Sequence, residues 1–229
     1  MVGVMNDQRP THWLQLKTLL RGVHPAVWRR VRLVDDLSIA DLHRVIQLLM
    51  GWEDEHLHRF HIHGRDYGVA YLGGLVFDED AASVPLSRFR FHPPERFVYE
   101  YDFTASWQIE VRVERTAEVA PGTCRRVPIC VGGRGASPPD NCGGAEAYAE
   151  RRRDALGWAM ADDMAAVAGV LQRVIDGDTA VLDDLEARFH FEHAVSRLKA
   201  REPFLADGFS RASINAALQQ AFTAPRSSA

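Results

Sequence analysis

The chain has 229 residues, 46% of them hydrophobic and 25% charged, with a formal net charge of −4. That length and apolar content are enough to bury a core, which excludes a disordered or fibrous chain. An acidic molecule of this kind is no electrostatic sleeve for nucleic acid, so DNA or RNA binding would need a local basic patch.

No apolar run approaches the roughly 20 residues of a membrane helix. The first residues show no basic segment followed by an apolar one. The three cysteines are too few, and odd in number, for a secreted disulfide framework. The expectation is a cytoplasmic protein with no membrane partner.

Residues 12–20, "HWLQLKTLL", alternate as a strand does. "GVHP" at 22–25 is a turn. "VWRRVRLV" at 27–34 predicts a second, antiparallel strand, with Val27, Arg29, Val31 and Leu33 on one face and Trp28, Arg30 and Arg32 on the other. Ser38, followed three residues on by Asp41, predicts a capped helix start. Ile39, Leu42, Val45, Ile46 and Leu49 form its apolar stripe, and Gly51 ends it. A short hairpin is expected to turn at Gly64-Arg65-Asp66. Strands follow at 97–103 and from Trp107, where Ile109, Val111 and Val113 alternate with Gln108, Glu110, Arg112 and Glu114.

Residues 120–145 are rich in Gly and Pro, and strand patterns stop after Glu146. Helices are predicted at 145–160, 161–176 and 182–200, and a last one is capped by Ser210. The resulting architecture is α+β. A mainly antiparallel sheet with one packed helix occupies 1–120, and a Gly/Pro/Cys connector occupies 121–145. A helical part packs on the sheet at 146–222, and 223–229 is a tail.

Four groups of residues could carry chemistry. In "HLHRFHIH", strand spacing would place His56 and His58 on one face, about 6.5–7 Å apart, and His61 and His63 on the other. Paired histidines can hold zinc or another divalent metal; a polar, partly exposed strand explains the same pattern. Asp78-Glu79-Asp80, joined by Asp102, could bind a hard cation, against the alternative of a solvated acidic turn. Arg29, Arg30 and Arg32, with Arg44 on the helix, could meet phosphates, although alternation splits Arg29 from the other two and no interleaved aromatics mark a single-strand binder.

Finally, Cys130 and Cys142 are too far apart for one zinc knuckle. With Cys124 they make three thiols, and a fourth ligand would have to be a histidine. A structural loop explains these cysteines as well. No nucleophile elbow, P-loop or dinucleotide motif is present.

Residues 16–62 resemble the opening of the Ri-plasmid ORF-three-like family, which also carries the label TnpR, the passenger protein of an insertion element. The resemblance lies in Gly22, Pro25, Trp28, Arg29, Arg30, Leu42, His43, Val45, Ile46, Gln47, Gly51, Trp52, His56, Leu57, His58 and Phe60. It continues through Asp78, Glu79, Asp80, Tyr99, Tyr101, Asp102, Phe103 and Trp107 to Ile214, Asn215 and Leu218. It implies an α+β sheet domain and carriage on mobile elements, with no settled activity.

Two departures stand out. Thr104-Ala105-Ser106 replaces the family's Gly-Asp-Gly hairpin turn, so a longer or different turn is expected. In the connector the family has a second cysteine where this chain has Ser137, which weakens a metal or redox role there.

Two readings of function stand. One is an accessory or interaction protein without catalytic activity, acting with mobile-element DNA or its proteins. The other is a metal-dependent enzyme of hydrolase or phosphoryl-transfer type built on the Asp/His cluster, with a structural zinc protein as a further alternative. The candidate residues are Arg29, Arg30, His56, His58, Asp78, Asp80, Tyr101, Asp102 and Trp107, with Cys124, Cys130 and Cys142 for metal.

Overall fold

The computed structural model describes residues 11–69, 76–77, 79–120, 127–206 and 208–223. β1 (His12–Leu20) and β2 (Trp28–Val34) pair antiparallel, as the alternation predicts. α1 (Ile39–Met50) starts at Ser38, whose side chain accepts from the Asp41 N–H while the Asp41 carboxylate accepts from the Ser38 N–H. Gly51 closes the helix at φ 68°, a conformation that costs a residue with a Cβ.

β3 (His58–Ile62), β4 (Arg65–Tyr67), β5 (Arg96–Tyr101), β6 (Trp107–Glu118) and β7 (Ile129–Arg134) complete one seven-stranded sheet, ordered β4-β3-β5-β6-β1-β2-β7. All of its strand pairs are antiparallel.

Three details differ from the expectation. The hairpin between β3 and β4 turns one residue earlier, at His63-Gly64, because Arg65 and Asp66 already pair with β3. The connector is also more than a loop: residues 129–134 form edge strand β7 against β2. Its two glycines and lone buried cysteine lack the apolar alternation that would mark a strand. The hairpin between β5 and β6 uses a turn without glycine, in which Asp102 (φ 52°) and Ser106 (φ 51°) take the left-handed conformations. The Asp102 carboxylate accepts from the Thr104 and Ala105 N–H groups, the local capping that lets Asp adopt this shape.

After a single 3₁₀ turn at 140–142 come α2 (Gly144–Ala155), α3 (Trp158–Ile175), α4 (Leu185–Leu205) and α5 (Arg211–Thr223). The first two helices break at Leu156-Gly157, earlier than the composition suggests. Gly144 starts α2 at φ 92°, where a Cβ would stand 2.4 Å from the Ala105 carbonyl oxygen, so only glycine fits against the β5–β6 turn. α3 and α4 are tied by buried Asp163, held by Arg197 at 2.6 Å and by Arg201. α5 seals the β7 edge: Asn215 accepts from the Cys130 N–H (2.7 Å) and donates to the Cys130 carbonyl (3.1 Å). No helix among the described residues is long and apolar enough to cross a membrane.

The core lies between the sheet and α1. Leu14, Leu16, Val31, Leu33, Leu42, Ile46, Phe60, Tyr99, Tyr101, Trp107 and Ile109 are essentially inaccessible. Arg29 sits among them at 1% exposure. It donates to the carbonyls of Leu49 (3.1 Å), Trp28 (2.9 Å) and Arg134 (2.9 Å) and to the Ser137 hydroxyl (3.0 Å), and Phe209 lies over its guanidinium. Burial lowers its pKa to about 10. Arg29 therefore joins β2, the end of α1, β7 and the connector, and it is not available to a phosphate.

Arg29→Ala removes every one of these donors at once. It is expected to cost about 3 kcal/mol, from carbonyls left buried without partners, measured as a lowered urea midpoint. Arg29→Lys should recover less than half of the loss, since an ammonium cannot reproduce the planar fork.

Candidate metal centre

α1 carries two buried polar side chains one turn apart, His43 and Gln47, beside its apolar stripe. Both face Tyr99 of β5, which is fully buried. Tyr99 stands opposite Phe60 in the β3–β5 register, and His58, opposite Tyr101, lies two pairs along; the strand period of two therefore places His58 on the same inner face. His43 Nδ1 lies 2.8 Å from Tyr99 Oη, and Gln47 Nε2 donates to the same oxygen at 2.8 Å. Burial raises the Tyr99 pKa, which keeps the hydroxyl protonated.

His43 Nε2 lies 2.6 Å from Asp54 Oδ1. Asp54 sits in the loop between α1 and β3 at φ 59°, a left-handed conformation that a non-glycine residue adopts at a cost. The His58 ring stacks on His43 at 3.5 Å between centroids and 6° between planes.

His43, Asp54 and His58 each offer one ligand atom, all within 4.8 Å of one another. They form the one grouping of three or more metal-ligating side chains among the described residues. His58 Nε2 is buried with no hydrogen-bond partner, which is costly unless something else engages it. Burial, aided by His43 and opposed by Asp54, lowers the His58 pKa to about 3. At neutral pH the His58 ring is therefore uncharged. Burial works to raise the Asp54 pKa, but the hydrogen bond and charge of His43 outweigh it, so the carboxylate stays ionised. Two imidazoles and a carboxylate suit a divalent transition metal. Bonds of about 2.1 Å in a tetrahedral site put ligand atoms about 3.4 Å apart, so an ion would part Asp54 Oδ1 from His43 Nε2, now 2.6 Å away, and turn the stacked imidazole rings out of parallel. The Asp54 side chain is 55% exposed, so the grouping opens to solvent on that side.

The other sequence candidates lie elsewhere. His56 precedes β3 and does not pair with His58; its Nε2 lies 2.7 Å from Asn141 Oδ1 and 3.9 Å from an oxygen of Asp102. His61 bonds Asp66, and His63 bonds Glu95. Asp80 accepts from the Ala82 N–H within its own turn, while Glu79 pairs with Arg88. Asp78 and Cys124 lie outside the described residues. Tyr101 and Trp107 are buried anchors for the connector: Tyr101 Oη accepts from the Glu55 N–H and donates to Asp140, and Trp107 Nε1 donates to the Asp140 carbonyl. Trp52 Nε1 likewise donates to the Pro138 carbonyl at 2.9 Å.

Arg30 is held by Glu114 through two bonds of 2.5 and 2.8 Å. Cys130 and Cys142 are buried free thiols whose pKa burial raises, and neither belongs to the metal-ligating grouping. Ser137 meets Arg29, not an ion. Sequence reasoning picked out His58 but missed His43 and Asp54. The available signal was a polar His and Gln four apart beside an apolar helical stripe, a spacing that puts both on one face.

A family model described as "Plasmid pRiA4b ORF-3-like protein" matches residues 12–160. The uncharacterized protein y4hQ of Sinorhizobium fredii is 29% identical over 194 residues, covering 77% of this chain and 93% of that protein. The crystal structure of a protein of unknown function, MM3350 from Methanosarcina mazei Go1, superposes with a TM-score of 0.61 at 26% identity, covering 90% of this chain and 97% of that one.

Because the folded pKa of His58 lies below its unfolded value of about 6.5, the unfolded chain takes up this proton first. Stability from His58 is therefore complete above pH 6.5 and is lost as pH falls towards 3. Urea midpoints should drop between pH 6.5 and 4 by an amount worth up to about 3 kcal/mol. His58→Leu should flatten that part of the profile.

Proposed function

The chain belongs to the plasmid pRiA4b ORF-3-like protein family, and from that premise we propose that it is an accessory protein whose working part is a divalent transition-metal site formed by His43, Asp54 and His58. One observation carries the proposal: His58, whose buried Nε2 has no hydrogen-bond partner, offers a ring nitrogen within 4.8 Å of ligand atoms of Asp54 and His43. Tyr99 and Gln47 would orient His43 from behind, the arrangement in which a ligating histidine uses its other nitrogen to fix its ring.

Three protein ligands with a solvent-facing side leave a coordination position for water or a small anion, as in catalytic rather than structural sites. That openness supports the second reading, metal-assisted hydrolysis, now built on Asp54 and the two buried histidines. Asp80 and Asp102, bonded within their own turns, are not needed for it. Carriage on a mobile element is part of the proposal and is supported by the resemblance alone.

The test is titration of purified protein with cobalt(II) or zinc. One equivalent should bind, with visible cobalt bands typical of nitrogen and oxygen ligands. Asp54→Ala or His58→Ala should weaken binding at least tenfold, and Tyr99→Phe by about tenfold, whereas Cys142→Ser should leave the stoichiometry unchanged. Metal binding that survives both ligand variants would sink the proposal.

A further inference from the structure

The sheet face opposite α1 bears an unusual row. Following the register across four strands, Arg96 of β5 stands opposite Arg112 of β6, Arg112 opposite Lys17 of β1, and Lys17 opposite Arg30 of β2. Directly opposed like charges destabilise a sheet, and here they recur three times in succession. The next row outward holds Arg115, Gln15 and Arg32. A β-bulge at this point turns both Glu114 and Arg115 outward.

Two acids face these cations. Glu114 binds Arg30, and Glu110 binds Arg96 and Arg21. Among the described residues Arg112, Arg115 and Arg32 have no acidic partner, and all are exposed. Lys17 and Arg30 lie over the Trp28 ring at 5.0 and 5.3 Å. Trp13 lies at the far end of the same face of β1. Arg30, Arg32, Arg112 and Arg115 line an open groove of about 700 Å³ walled by Pro93 and Pro94.

We infer that this face binds a single-stranded nucleic acid, with its phosphates along the Arg112–Lys17–Arg30 row and its bases against Trp28 and Trp13. With Arg96 at its end the row spans about 14 Å at the usual strand spacing, which suits a linear polyanion. Tryptophans flanking the cations supply the stacking that a strand of exposed bases uses. Phosphates would draw Lys17 and Arg30 off the Trp28 ring and free it for a base. A lipid surface would call for protruding apolar side chains, whereas four arginines line this groove. The site lies on the other side of the sheet from the metal centre and does not depend on it.

Fluorescence anisotropy with labelled oligo(dT) and the matching duplex, over a salt series, tests the assignment. Binding of about 10 μM or tighter at 50 mM salt is expected, weakening with a log–log slope of about −2 to −3. Arg112→Glu with Arg115→Glu should weaken it at least tenfold. Arg112→Glu alone should raise the melting temperature, because it converts repulsive cross-strand pairs to attractive ones. Trp28→Phe should retain most of the affinity that Trp28→Ala loses. Arg188→Glu, a charge-matched change on α4, should have no effect. The inference is overturned if oligo(dT) does not bind at 50 mM salt, if the duplex or phosphatidylserine vesicles bind as tightly, or if the folded double variant binds like the parent.

Discussion

A buried cation without a carboxylate organises this molecule. Arg29 could not leave water unless dipoles replaced its hydration, and the fold supplies them from separate segments. The Leu49 carbonyl comes from the negative end of the α1 dipole, Arg134 from edge strand β7, and Ser137 from the connector. Each of those segments is positioned partly because it must serve the same guanidinium. Phe209, just before α5, covers the exposed side of the group. The connector is fixed again from below by Trp52, Tyr101 and Trp107, whose polar tips reach Pro138 and Asp140. A stretch rich in Gly and Pro therefore behaves as a pinned strap over the core.

The two faces of the sheet obey opposite rules. On the inner face polar groups survive only by satisfying one another, as Gln47, Tyr99, His43 and Asp54 do in a chain. His58 Nε2 and Gln47 Oε1 break that rule, and of the two it is His58, with a ring nitrogen near Asp54 and His43, that makes the cluster a candidate site. On the outer face the rule broken is electrostatic, since like charges sit opposite one another where alternation of sign would stabilise the pairing. Strand alternation at Arg29 and Arg30 divides two neighbouring arginines between these worlds: one becomes a structural bolt, the other a surface charge.

Local patterns carried much of the fold. The paired strands β1 and β2, the capping box at Ser38, the stop at Gly51 and the alternation of β6 are short-range consequences of side-chain period and backbone freedom, and they appear where the residues place them. β7 was not legible, because an edge strand of Cys, Val and two glycines owes its pairing to β2 and Asn215, not to its own propensity.

By itself, the sequence determined the α+β class, the helix with its ends, and which residue types were on hand for metal or phosphate. Tertiary structure alone decided which of them meet. His43 and Asp54 are 11 residues apart and converge on His58 only because α1 packs across β3 and β5. Lys17, Arg30, Arg96 and Arg112 become a row only through strand register. The histidines that look paired in the chain, His56 and His58, separate because the strand begins between them.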